Sequence, residues 1–211
     1  MPRPPDPAVR QRLVDVAADL LATGDDVTLR RVAAEAGTST MAVYTYFDGM
    51  PGLWRAVRDR AFTRLASRLE DVAATEDPVA DLVALGRAFV DTALSRPALY
   101  TAMFDLRREA AQPASAAVTF AVLVAGVERA VAAGRLAGRT DPVAAATRLW
   151  GATHGFLALV LVGALPPSAL DDHLPPTYAA LLVAWGDGPR RAPRSVAAGW
   201  AVRTPSPAEP G

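Results

Sequence analysis

A chain of 211 residues, 51% of them hydrophobic, is long enough for one mid-sized domain, or for a small one beside a larger one, with a sizeable core. Its 22 basic residues are all arginine and are matched by 22 acids, so no net charge draws the chain as a whole to nucleic acid or membrane. Cysteine is absent, which excludes disulfides and thiolate metal sites and fits a reducing, cytoplasmic location.

The N-terminus, MPRPPDPAVRQR, has prolines and charges but no apolar run, so it does not read as a secretory signal. A first helix is predicted from about Pro7 to Thr23, with Asp6 as its cap and Pro7 at the first helical position. Leu13, Val16, Ala17, Leu20 and Leu21 form its apolar stripe, and Gly24 closes it. Thr28 caps a short second helix that buries Leu29, Val32 and Ala33 and ends at Gly37. Ser39 caps a third. A fourth begins near Pro51 and places Leu53, Val57, Ala61 and Leu65 on one side. Further helices are predicted at about 78–94, 97–106, 113–133, 142–164 and 175–185, with Pro78, Pro97, Pro113 and Pro142 near four of the starts. No strand pattern intervenes, so the fold class is all-α. The apolar stretch from Trp150 to Leu165 is shorter than the ~20 residues a membrane span needs and reads as a buried helix. His173 reads as part of a proline loop. Residues 189–211, rich in proline and without periodicity, read as an irregular tail in which Trp200 could still dock.

The segment GTSTMAVYTYF, residues 37–47, is uncharged in a chain where 21% of residues are charged. Two short helices joined by a glycine-containing turn are the layout of a helix-turn-helix, whose second helix enters the major groove. Threonine offers such a groove a hydroxyl and a methyl, methionine an adaptable apolar contact, and tyrosine a hydroxyl for phosphate. Val43 and Phe47, four apart, read as core. Tyr44 and Tyr46, on other faces, read as groove or backbone contacts. Spacing alone leaves Thr38, Thr40, Met41 and Thr45 as solvent-exposed.

Residues 8–54 resemble the DNA-binding domain of the TetR family of bacterial transcriptional regulators. The matching features are the helix ending at Gly24 and then TLRRVAAEAGTSTMAVYTYFDGMPGLW, with Thr28, Val32, Ala33, Gly37, Ser39, Ala42, Val43, Tyr44, Tyr46, Phe47 and Leu53 in the family's order. The resemblance implies a three-helix helix-turn-helix domain over residues 1–50 and a larger helical effector-binding and dimerisation domain over 51–188. It implies DNA contacts from Thr28, Arg30, Thr38, Ser39, Thr40, Met41, Tyr44, Thr45 and Tyr46. It departs from the pattern at Met50, where a phosphate-contacting lysine is usual, and at Thr40, where a basic residue is common. Arg3, Arg10, Arg30 and Arg31 are candidates to make up the lost charge.

Residues 149–155, LWGATHG, more weakly resemble the signature of one TetR C-terminal class, the WHG domain. By helical spacing Trp150, His154, Leu157 and Leu161 form a packing stripe. The family resemblance implies a homodimeric, ligand-responsive repressor acting on double-stranded operator DNA. A small hydrophobic effector is expected among Phe89, Tyr100, Met103, Phe104, Phe120, Trp150, Thr153 and His154, an apolar set with few polar groups. The dimer is expected through Leu157, Leu161, Tyr178, Leu181, Leu182 and Trp185. With two histidines and no cysteine, no metal or other cofactor is expected. An enzyme finds no support, since neither a phosphate loop nor a nucleophile in a recognised context occurs. A helical binding protein with a vestigial helix-turn-helix would require residues 37–47 to touch no DNA.

Overall fold

The computed structural model describes residues 6–104 and 113–202, and every regular element among them is an α-helix. They group into two compact units. The first holds the chain to Arg64 together with Arg96–Ala117, and the second holds Leu65–Ser95 and the chain from Val118 onward.

The first unit begins with α1 (Pro7–Ala22), whose cap Asp6 accepts the amide of Ala8 at 2.9 Å. Next come α2 (Leu29–Glu35) and α3 (Thr40–Phe47), separated by a left-handed Gly37. Leu13, Ala17 and Leu20 of α1, Val32 and Ala33 of α2 and Val43 and Phe47 of α3 bury against one another as the core of this small bundle. The fourth helix, α4 (Met50–Glu70), runs through the division between the units. A Cβ on its Gly52 would lie 1.6 Å from the Phe47 carbonyl oxygen, so only glycine lets α4 approach the end of α3 this closely. The short α6 (Pro97–Met103) packs on α1, and the Arg58 guanidinium, buried, donates to the Met103 carbonyl at 3.2 and 3.3 Å.

The second unit is organised on α5 (Pro78–Ser95), thirteen of whose 18 residues are buried. Around it lie α7 (Ala114–Ala132), which begins within the first unit, α8 (Pro142–Leu161), α9 (Ser168–Ala184) and α10 (Ala192–Ala201). Gly86 on α5 leaves room for the Tyr178 phenol of α9, and Gly199 on α10 approaches the Ala80 carbonyl. The Tyr178 and Thr153 hydroxyls share a hydrogen bond in the core, and burial pushes the phenol up to about 12.

Four expectations change. Residues 192–201 are helical, not an irregular tail: Ala192, Ser195, Val196, Gly199 and Trp200 bury against α5 and α9, and the Trp200 indole donates to Asp171 at 2.8 Å. The last long helix starts at Ser168 and carries Pro175, Pro176 and His173 inside it, because the buried positions Leu170, Leu174, Tyr178 and Leu182 hold it to its neighbours. The stretch after Trp150 is half exposed, not buried, with Gly151, Gly155, Leu159 and Val162 at the surface. Finally, among the described residues the helix with the length and apolarity to cross a membrane is α7, not the stretch after Trp150.

Candidate nucleic-acid interface

The turn before α3 is set by residue chemistry. The Thr28 hydroxyl accepts the Arg31 amide at 3.3 Å and so caps α2, and the Thr38 amide returns to the Ala33 carbonyl at 2.9 Å. Ser39 stands at the N-cap of α3 in extended backbone, without a side-chain cap bond. At the other end Asp48 and Gly49 are both left-handed, at φ 57° and 91°, and turn the chain into α4. An Asp–Gly pair is the sequence signal for that turn, and it was missed as a site-shaping feature.

Val43 and Phe47 face the core, as expected, and the opposite side of α3 is bare. Met41 is 68% and Tyr44 55% exposed, and Thr40 and Thr45 are exposed beside them. The Thr45 hydroxyl donates to the Met41 carbonyl at 2.9 Å. Ser39, Thr28 and Arg30 are also exposed, while Thr38 is half-buried. Tyr46 differs from Tyr44: it is half-buried, and its hydroxyl accepts the Asp6 amide at 2.7 Å, clasping the start of α1 to α3.

Charge lies to the sides of this uncharged face. A cleft of about 630 Å³ opens beside α3 and brings Arg10 and Arg55 to the flank of Tyr44. The Arg10 guanidinium lies 5.2 Å from the centre of the Phe47 ring. Of the other candidates, Arg31 is paired with Asp25 and Glu35, and Arg3 lies outside the described residues. Arg55 was not among the residues expected to offset Met50; one helical turn plus one residue further along α4, it had no motif to mark it.

The expected effector residues fall in both units. In the first, Tyr100 and Met103 are buried, and the Phe104 ring packs edge-on to Phe62 at 5.6 Å and against Tyr100 at 5.0 Å. In the second, Phe120 meets the Trp150 ring edge-on at 6.3 Å, and the His154 ring lies 5.6 Å from Trp150. Burial lowers the His154 pKa below its ordinary value. Phe89 and Thr153 are buried, and the Thr153 hydroxyl also donates to the Leu149 carbonyl.

Of the expected dimer residues, Leu157, Tyr178 and Leu182 are fully buried within the protomer, so they cannot meet a partner; Leu161, Leu181 and Trp185 are half-buried. The outward stripe of α8 is instead Val143, Thr147, Trp150, Gly151, Gly155, Leu159 and Val162, set one position or more around the helix from the residues chosen.

Residues 82–184 match the family model described as the tetracyclin repressor-like C-terminal domain. Through this stretch the chain is similar to the TetR family. The matched description names no WHG subclass, and α10 lies beyond the matched residues. No curated protein matches the chain. Among solved structures, a protein of unknown function from Rhodococcus sp. RHA1 is 24% identical, with a TM-score of 0.72 over 84% of this chain and 94% of that one. RolR in complex with resorcinol is 22% identical, with a TM-score of 0.65 over 89% and 92%. A TetR-family transcriptional regulator from Streptomyces coelicolor is 23% identical, with a TM-score of 0.63 over 92% and 90%. At these identities the likeness is one of fold, and that fold is the all-α one found here.

Proposed function

We propose that this chain is a TetR-family regulator, a cytoplasmic, homodimeric repressor that binds double-stranded operator DNA through α3 and leaves it when a small hydrophobic effector binds. The observation that carries the reading is the face of α3. It is braced from behind by Val43, Phe47 and the Tyr46 clasp, and it exposes hydroxyls, a thioether and a phenol in front. Tyr44 is assigned to phosphate, with Arg10, Arg30 and Arg55 supplying charge around it.

One such helix reads only a few base pairs, so a two-fold dimer is needed to present two of them about 34–36 Å apart, or a multiple of that. The interface is assigned to the outward stripe of α8, Trp150 excepted, and the adjoining uncharged residues of α9, Pro176, Ala180 and Ala184. A Cβ at Gly151 or Gly155 would touch nothing within the protomer. Two helix-interior glycines cost about 1 kcal/mol each relative to alanine, and close approach by a partner helix gives them a purpose.

The effector is assigned to the second unit's aromatic group, Phe120, Trp150 and His154; Thr153 is withdrawn into the core by Tyr178. Resorcinol bound to RolR supports a small aromatic as the ligand class. Such a ligand would act by preferring a protein state with low operator affinity.

The test is selection of operator DNA by the full chain, followed by binding measurements. Tyr44→Ala and Thr40→Ala should each weaken binding by about 1–3 kcal/mol while the circular dichroism spectrum is unchanged. Hydrophobic compounds that raise Tm should release the selected DNA. Parent-like binding by both variants would refute the assignment of α3.

A further inference from the structure

The outward side chains of α3 are Thr40, Met41, Tyr44 and Thr45. None is a guanidinium, an amide or a carboxylate. The strong pairings of the major groove, Arg with guanine, Asn or Gln with adenine and carboxylate with the cytosine amine, are therefore closed to this helix. Arg10, Arg30 and Arg55 lie on α1, α2 and α4, off the reading face. Thr45 commits its hydroxyl hydrogen to the Met41 carbonyl, so it has no donor for a base edge, and its methyl is the apolar contact it offers. Met41, 68% exposed, is an apolar side chain held in water with no core to serve. Met41 and Thr45 are four apart and share a face, one turn of about 5.4 Å along the helix. The apolar feature that base edges present in the major groove is the C5 methyl of thymine.

We infer that the bases facing α3 are read through thymine methyl groups, with Met41 and Thr45 as the specificity-determining contacts; this rests on the DNA-binding reading of α3 above. The operator half-site then carries thymine opposite each residue, one or two base steps apart. Cytosine is rejected there because its C5 carries only hydrogen, and the purines because they present nothing apolar. Hydroxyl contacts from Thr40 and Tyr44 position the helix and discriminate little.

The experiment starts from duplex operators selected from a random library by the full chain. Single thymines in the half-site are then replaced by uracil, which removes only the methyl, and binding is measured by fluorescence anisotropy. Uracil at a position facing α3 should weaken binding about fourfold. Met41→Ala should erase the thymine–uracil difference at one position and Thr45→Ser at the other. A cytosine substitution that weakens binding should be relieved by 5-methylcytosine at the same place. Equal binding of thymine and uracil operators by the parent, or selected half-sites without thymine opposite α3, would overturn the inference while leaving DNA binding by α3 intact. Failure to enrich any sequence would overturn both.

Discussion

Arg135 is buried, and every one of its guanidinium bonds stays inside the second unit. Its Nε and Nη2 donate to Asp187 at 3.0 and 2.8 Å, Nη1 to Asp77 at 2.5 Å, and Nη2 also to the Ser195 hydroxyl at 2.9 Å. Ser195 in turn donates to Asp77 at 2.6 Å. One arginine thus joins the turn after α7, the cap of α5, the turn after α9 and the first helical turn of α10. Removing it strands the buried Asp187 carboxylate, which water cannot reach. Arg135→Met should therefore lower unfolding stability by about 3–5 kcal/mol, read from urea melts followed by circular dichroism. A loss below 1 kcal/mol would show that the network has no energetic role. Nothing in the sequence marked this arginine among 22 basic residues, because its partners lie 52, 58 and 60 positions away.

At the scale of elements, the helices with local signals were legible and those held by distant contacts were not. Asp6 and Thr28 made their predicted cap bonds, and Gly37 closed α2 in a left-handed turn. Pro78, Pro97 and Pro142 stand at the first positions of α5, α6 and α8. The start of α9 was lost because Pro175 and Pro176 read as breakers, whereas buried leucines on both sides carry the helix through them. α10 was lost in a run rich in alanine and proline, although Ala192, Val196, Gly199 and Trp200 do fall at helical spacing. Its hold on α5 depends on contact without a side chain: a Cβ at Gly199 would sit 2.1 Å from the Ala80 carbonyl oxygen. Gly199→Ala should therefore destabilise the fold by about 1–3 kcal/mol, against the usual gain from replacing a helical glycine. An unchanged or raised Tm would mean that α10 can shift without loss.

For the molecule as a whole, the sequence carried the fold class and the helix-turn-helix layout of α2 and α3, since both follow from short-range patterns. It did not carry the outward face of α8, because a two-residue error in helical phase exchanges a buried leucine for an exposed one: Leu157 is inside and Leu159 outside. The dimer proposal now rests on the exposed set and has a direct test. The parent chain should sediment at twice its 22.1 kDa, and Val162→Glu, at a position 77% exposed, should shift it to monomer without lowering helical content. A parent that stays monomeric at micromolar concentration would sink the assignment.

The first unit is not one continuous stretch of chain. Arg96–Ala117 belong with the chain up to Arg64, and within that unit Arg58 holds the Met103 carbonyl, Phe62 packs on Phe104, and Ser115 donates to Asp59 at 2.7 Å. A single crossover near residue 50 would leave those three contacts within one parent but would part α1 from α6, which packs on it, and Asp19 from Arg96, 3.6 Å away. The chimera would keep α3 while losing that support of α1. A graft that respects the physics must take the segment after Ser95 along with the N-terminal helices, so specificity here is portable only in two pieces.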